Sequence, residues 1–457
     1  MRNNRLFTLL LLLLLLLSFS ALAQSPEAVR ESIRKYPNLA LPTYSTYPSI
    51  PLGEIAATPE GFEPFYFTLV GRHGSRYDQS ERRFKSILSV YRKADSLGIL
   101  TDQGKHLYSH IAEISAAQEG RNGELSELGY NQWLGIAHRA YKNFAPVFAE
   151  GSIEGKSSIS LRCLLSLVAF NQGIKEHSPQ LTIYQQARKS ELGIVRPLYD
   201  NPATPELARK IHKESGANGE WNKDLNEWEK SSDASSFLSK VTTDRKRLLK
   251  ECGGKSDFRV LRYSFRALLF GENFELGDRE LLTSLFTPDE MYAIYVHQTA
   301  KWVNTSIGRG NEKVEMYSSF MRPMVDDIIA KGNAAIEGKN PHKANLRFTH
   351  DSYVGPLLSV MGYEGCVPQY STNLELATTS FNHGLVVPMA ANLQIVLYRN
   401  KAGEVLVRSL VNERDGYLPI KCATAPFYPW KEFCKYLENN FKELEKVQKK
   451  VLKQYQD

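Results

Sequence analysis

The sequence predicts an α/β fold: an open sheet core flanked by helices, with an inserted all-α region. Three observations predict it. An apolar, β-prone run from Phe65 to Val70 leads into a glycine-containing loop and then a helical pattern. The same order of strand, loop and helix returns between Asn345 and Met361. Between these two units, residues 184–340 are polar-rich and mostly of helical spacing. The expected division is a core built from residues 24–183 and 341–457, with 184–340 as a helical insertion that caps it.

The elements follow in chain order. Arg2 and Arg5 precede an apolar stretch, Leu6 to Leu17, and the small-x-small triplet Ala21-Leu22-Ala23. That is the pattern of a cleavable export signal over residues 1–23, too short to serve as a spanning helix. No later run is apolar enough to cross a membrane, so a periplasmic or secreted protein is expected. Residues 41–51, rich in Pro, Ser, Thr and Tyr, read as an extended arm. Helices are expected over Ser80 to Ala94, Gln103 to Ala117, Glu127 to Phe148, and from about Ser157 to Ile174. Inside the insertion they are expected over Asp233 to Lys250, Asp257 to Phe270, Pro288 to Thr305 and Glu315 to Ile336. Thr287, Pro288 and Glu290 supply a cap, a first-turn proline and a capping-box acid. Ala391 to Tyr398 and Val405 to Val411 read as a hairpin, and Trp430 to Gln454 as a closing helix.

Composition narrows the function. The net charge of +7 favours an anionic small-molecule substrate without requiring one. There is no basic-aromatic array or zinc-ligand spacing of the kind nucleic-acid binding uses. Five cysteines in an exported chain permit at most two disulfides; Cys163, in an apolar helical run, reads as a buried thiol. Asn304-Thr305-Ser306 is a glycosylation sequon.

The chemistry sits at the two strand ends. Arg72-His73-Gly74-Ser75-Arg76 places an imidazole between two guanidiniums where ligands bind in open sheets. Guanidinium forks match phosphate oxygens, and their charge keeps His73 neutral and therefore nucleophilic in mild acid. A salt-bridged surface histidine is the bland reading of an Arg-His pair alone, and the full five-residue pattern after a strand argues against it. His350-Asp351 ends the second strand. Asp351 can protonate an alkoxide leaving group and then activate water, and His350 can donate to a phosphate oxygen. Asp351 as a mere helix cap is the competing reading. Arg162 opens another helix, where a cation is locally unfavourable but an anion is welcome. Ser-His-Asp hydrolysis lacks a Gly-x-Ser-x-Gly elbow, a metal set of His73, His350 and Asp351 would be repelled by the arginines, and no phosphate-binding P-loop is present. No cofactor is implied.

These residues resemble the histidine acid phosphatase superfamily, whose hallmark is R-H-G-x-R followed later by H-D or H-A-E. Within it they are most similar to multiple inositol polyphosphate phosphatases and histidine-type phytases. Arg72 to Tyr77, Ser158 to Gly173 with its Arg162-Cys163 pair, Pro356 to Tyr363, Val387-Pro388, Ala391 to Leu393, Val396 to Tyr398 and Asn412-Glu413 carry the likeness. The resemblance implies the histidine phosphatase fold and metal-independent phosphomonoester hydrolysis through a phosphohistidine. It makes His73 the nucleophile, and Arg72, Arg76, Arg162 and His350 the holders of the phosphoryl group. Asp78 stands where the family often has Pro. His350-Asp351-Ser352 stands where the inositol-polyphosphate branch usually has His-Ala-Glu, which makes Asp351 the proton donor. Phytate or a related inositol polyphosphate is the expected substrate. A broad acid phosphatase is the alternative, and a silent anion-binding protein a more distant one.

Overall fold

The structure, a computed structural model, describes residues 25–456 apart from 199–203, 220, 380 and 382. The expected export signal at 1–23 lies outside the described residues. Eight strands form one mixed sheet: β1 (Glu63–Arg72), β2 (Ser152–Ser157), β3 (Thr182–Gln186), β4 (Ala344–Thr349), β5 (Asn392–Arg399), β6 (Val405–Val411), β7 (Arg414–Asp415) and β8 (Phe427–Pro429). Their order is β3-β2-β4-β1-β5-β6-β7, with β8 also paired to β6. The four strands from β3 to β1 run parallel; β5, β6, β7 and β8 add on antiparallel.

β1 shows why both faces are covered. Phe67 and Leu69 point into a core shared with Trp133, Phe170 and Phe348. Tyr66 and Val70 point into the opposite core, shared with Met324, Leu357 and Phe433. A strand apolar at both alternating sets is fully buried, as parallel strands usually are. The helices Glu127–Phe144 and Leu161–His177 cover the first face; Arg322–Ile336, Asp351–Met361 and Trp430–Gln454 cover the second. A third core lies among helices and the loops that join them. It draws Pro26–Lys35, Arg82–Ser96 and Asp102–Gln118 together with Asp257–Gly271 and Pro288–Trp302.

Several elements differ from expectation, each for a local reason. The stretch expected as one helix from Asp233 breaks into Ser235–Val241 and Arg245–Lys250. Thr242 Oγ1 donates to Ile99 O at 2.9 Å, and Asp244 caps the second piece by accepting from Arg247 N. Glu315 to Ile336 likewise divides: a 3₁₀ turn, Ser319–Met321, separates Glu312–Ser318 from Arg322–Ile336, and Pro323, with no N–H to bond back into that turn, sits in the first turn of the second helix. Residues 41–51, expected as an extended arm, pack against the body of the protein. A short 3₁₀ turn, Pro42–Tyr44, begins a strap that is largely buried. It is tied down by Ser49 Oγ to Gly384 O (2.8 Å) and Tyr47 Oη to Glu413 (2.7 Å). All five cysteines are free thiols, so the permitted disulfides do not form; Cys163 is buried as expected. Asn304 of the sequon is buried as well. The capping box at Thr287 and Glu290 forms as expected.

Candidate active site

β1 and β4 are neighbours, and Arg72 lies opposite Thr349 as the last pair of their register. The next residue on each strand is a histidine. His73 N donates to Thr349 O at 3.1 Å, and the His73 and His350 rings stand 5.5 Å apart, edge to face. Two sites far apart in sequence thus meet because two parallel strands end level.

Close packing fixes the loop after β1. A Cβ on Gly71 would lie 2.5 Å from the Trp133 ring, and one on Gly74 would lie 2.2 Å from Gly129 O. Trp133 Nε1 donates to Arg72 O at 3.0 Å. Gly74 N donates to Ser166 Oγ (3.0 Å), and Ser75 N to Gln132 Oε1 (2.9 Å). The loop is therefore clamped from the first turns of the Glu127–Phe144 and Leu161–His177 helices.

His73 Nδ1 sits 2.9 Å from Gly74 O. A carbonyl only accepts, so Nδ1 carries the proton and Nε2 keeps its lone pair. Burial, then the charges of Arg72, Arg162 and Arg76 and the neighbouring His350, hold this imidazole well below its usual pKa. It is a buried, neutral, correctly protonated base or nucleophile.

The cations around it are held but not satisfied. Arg72 is fully buried; its Nη1 donates to Val387 O (2.7 Å), its Nη2 lies 3.1 Å from Asp351 Oδ2, and its Nε has no hydrogen-bond partner among the described residues. Arg76 donates from Nη1 to Tyr77 O (2.8 Å), again with Nε unpartnered among the described residues. Burial, with Arg72 next, pulls its pKa down to about 10, still cationic at neutral pH. Arg162 Nη2 lies 3.4 Å from His350 Nδ1, and its Nε too is buried without a partner among the described residues. Among the described residues Arg162 makes no ion pair with a carboxylate.

His350 is pushed down to about 3, first by burial and then by Arg162. Its Nε2 is 3.4 Å from Ser158 Oγ, and Cys163 Sγ lies 3.8 Å from both ring nitrogens. Asp351 opens the helix Asp351–Met361, and its Oδ1 accepts from Ser352 N at 2.8 Å. It is the first residue of the helix rather than its N-cap, which is His350 and makes no side-chain cap hydrogen bond, and it is also an ion-pair partner of Arg72. Burial raises its pKa, but Arg72 and then Arg76 outweigh that and leave the carboxyl below its ordinary value. All six residues expected at the site, Arg72, His73, Arg76, Arg162, His350 and Asp351, converge here. The set can hold a tetrahedral dianion, attack it from His73 Nε2 and exchange a proton through Asp351.

Three neighbours complete the surroundings: Asp78, already singled out in the sequence, and Arg196 and Tyr44, which no sequence signal marks. Asp78 is no free negative charge beside the loop, because Arg266 pairs with it and Arg76 Nη1 is 4.0 Å away. Arg196, whose Nε is 3.3 Å from Tyr353 Oη, adds a positive charge that lowers His350 further. Tyr44 reaches the site from the buried strap. Its phenol is lowered because Arg266 and Arg83 outweigh the rise from burial. Arg196 and Tyr44 are single residues on separate segments, with no motif around them.

Residues 67–412 match the model of the histidine phosphatase superfamily, branch 2. Comparison with curated proteins finds no match. Among solved structures, the chain is similar to the Bifidobacterium longum multiple inositol polyphosphate phosphatase in complex with inositol hexasulfate. The TM-score is 0.64 at 16% identity, covering 87% of this chain and 97% of that one. The phosphate complex of the same enzyme aligns equally well, with a TM-score of 0.64. A phytase from D. castellii aligns with a TM-score of 0.63 at 16% identity, covering 88% of this chain and 85% of that one. At such identity these likenesses speak for the fold. The family match spans most of the chain: the protein belongs to the histidine phosphatase superfamily, branch 2, and is a histidine-type phosphomonoester hydrolase.

Proposed function

We propose that the protein removes phosphate from inositol polyphosphates such as phytate, through a phosphohistidine on His73 and without a metal. The observation that carries this reading is the His73 ring itself. Its Nδ1 proton is committed to Gly74 O, which leaves the lone pair on Nε2, and the guanidiniums of Arg72, Arg162 and Arg76 lie close enough to disfavour its protonation.

In the first step His73 Nε2 forms a bond to phosphorus as the ester P–O bond breaks. Asp351 gives its proton to the departing alkoxide. In the second, Asp351 carboxylate takes a proton from water, the hydroxyl oxygen bonds to phosphorus, and the His73–phosphorus bond breaks to release phosphate. The three arginines and His350 hold the phosphoryl oxygens, which is the main protein contribution expected of phosphoryl transfer. Fixed guanidiniums supply the positive charge that a metal supplies elsewhere.

The proton inventory sets the pH dependence. In the free site Asp351 is held below its ordinary value and is anionic in mild acid. A bound phosphate offsets the Arg72 and Arg76 charges and raises Asp351. A substrate arriving as its monoanion can therefore hand Asp351 the proton that the leaving group needs. Phosphate monoesters lose that proton near pH ~6. The expected outcome is a kcat/KM that falls as pH rises through this region, while His73 stays neutral and competent on the acid side. A flat profile from weak acid to alkali contradicts the Asp351 role.

Export is part of the same proposal and rests on the composition of residues 1–23. The testing experiment is phosphate release from phytate at about pH 5 with chelator present. Rapid release supports the reading. Release from a simple aryl phosphate but not from phytate moves the protein to a broad acid phosphatase.

A further inference from the structure

The hairpin from β6 to β7 turns through two residues, Asn412 and Glu413, because Val411 pairs with Arg414. Both stand in left-handed backbone, at φ 49° and 61°. Tight hairpins favour such a turn, and glycine commonly fills it. Asparagine tolerates this backbone, whereas glutamate has no special tolerance for it. Backbone of this kind persists where the surroundings over-determine it, and it clusters at functional sites. The absence of glycine implies that both side chains do something a glycine cannot.

Both side chains are buried and hydrogen-bonded. The Glu413 carboxylate takes two hydrogen bonds from Arg139, each of 2.8 Å, and one from Tyr47 Oη at 2.7 Å. Glu413 thereby pins the turn to the Glu127–Phe144 helix and to the buried strap. Asn412 reaches the other way. Its Oδ1 accepts from Asn392 N at 2.8 Å, and its Nδ2 donates to Leu385 O and to Val386 O, the latter at 3.2 Å.

The segment that Asn412 grips holds the phosphate loop from outside. Val387 O, directly after the two gripped carbonyls, is the one carbonyl among the described residues that accepts from the Arg72 guanidinium. Arg72 N donates to Ala391 O at 2.7 Å, and Ala390 N to His73 O at 3.0 Å. Ala390 is itself left-handed, at φ 54°. With Val387 O fixed, Arg72 keeps Nη2 turned to Asp351 and its buried Nε, unpartnered among the described residues, turned to an incoming anion. A chain of contacts therefore runs from a strained turn on the antiparallel side of the sheet to the arginine beside His73.

We propose that Asn412 is a positioning residue for phosphoryl transfer: its amide fixes the carbonyls of Leu385 and Val386, and through Val387 O the guanidinium of Arg72. The proposal rests on the reading of Arg72 as a holder of the phosphoryl group.

The test is the kcat for an aryl phosphate and the inhibition constant of inorganic phosphate, measured on wild type, Asn412→Asp, Arg72→Gln and the double variant. Asn412→Asp keeps the size, the tolerance for left-handed backbone and the acceptor toward Asn392 N. It sets an oxygen against two carbonyl oxygens where the donor stood. Asn412→Ser removes the donor without that repulsion and decides the matter if the first variant does not fold, as thermal unfolding reports. Tyr428→Phe, which loses the buried hydrogen bond from Leu418 N to Tyr428 Oη (2.9 Å) in β8, is the control for stability alone.

Asn412→Asp is expected to raise the phosphate inhibition constant about tenfold, the order of one hydrogen bond to a charged group. Its kcat is expected to fall about 10²-fold, as for a displacement near 1 Å at the reacting centre. An inhibition constant does not depend on how much of the enzyme is folded, so a turn that serves the fold alone leaves it unchanged, as Tyr428→Phe is expected to do. In the Arg72→Gln background Asn412→Asp is expected to cost little more, because the group it acts through is gone. A wild-type inhibition constant in both Asn412 variants, or the same loss with and without Arg72, overturns the positioning role. Arg72→Gln that binds phosphate as wild type does refutes the reading of Arg72 instead, and the positioning role falls with it.

Discussion

The arginines around His73 and the two that open the Arg82–Ser96 helix carry the same charge in opposite surroundings. Arg72 and Arg76 are 0% and 5% exposed, clamped by backbone carbonyls, and approached by a loop that tolerates no Cβ at Gly71 or Gly74. Arg82 and Arg83 are exposed, free of ion pairs among the described residues, and set on a helix end. Donors fixed in a dry site stabilise developing charge without reorganising, so the inner ring should govern rate. Solvated donors are screened by salt and should matter far less to it. The difference teaches where each kind of damage will show.

The strongest way to break this contrast is His73→Ala. Turnover should fall by on the order of 10⁴-fold or more, measured as phosphate release under saturating substrate. Residual activity close to wild type would mean that the inner ring is only a binding site. Asp351→Asn comes next and sharpens the account by leaving group. Hydrolysis of an alkyl phosphate such as phytate should slow by about 10²–10⁴-fold. An aryl phosphate, whose phenolate departs without help, should slow markedly less in its first step. Equal losses on both substrates would argue that Asp351 serves Arg72 rather than the leaving group.

Gly74→Ala probes rigidity instead of chemistry. Its new Cβ would meet Gly129 O at 2.2 Å, and neither partner is a flexible side chain. The loop must shift, at a cost of about 1–3 kcal/mol in stability. A displacement near 1 Å at His73 would cost about 10²-fold in kcat. Thermal unfolding and steady-state kinetics on the same sample check both. Thr287→Ala, in the helical region, should do the least. It removes one side of the capping box and should cost about 1 kcal/mol with kcat unchanged. A loss of activity there would show that the helical region is coupled to His73 more tightly than its packing suggests.

The inner ring was legible because strand, glycine loop and paired histidines carry local patterns. Phe65 to Val70 and Asn345 to Thr349 each read as strands, and two histidines at strand ends imply a shared site once the strands lie side by side. Arg162 was legible as a cation at an odd place, a helix start, and through the likeness carried by the Arg162-Cys163 pair. Tyr44 and Arg196 were not legible. They come from separate segments with no common spacing, and a lone arginine usually means a solvated face. The strap at 41–51 reads in sequence as an extended arm because Pro, Ser and Thr are loop-forming; its burial depends on hydrogen bonds to Gly384 and Glu413, more than three hundred residues away. Helix breaks at Thr242 and Pro323 were written in the residues but outweighed by periodicity.

The central claim is covalent: phosphate passes through His73. The most direct measurement is mass spectrometry of peptides from wild type and His73→Ala, quenched in alkali during turnover of an aryl phosphate. The account predicts one added phosphoryl group on the peptide containing His73 in wild type and none in the variant. Turnover with no phosphorylated His73 at any time point, or a phosphoryl group on another residue, would contradict it.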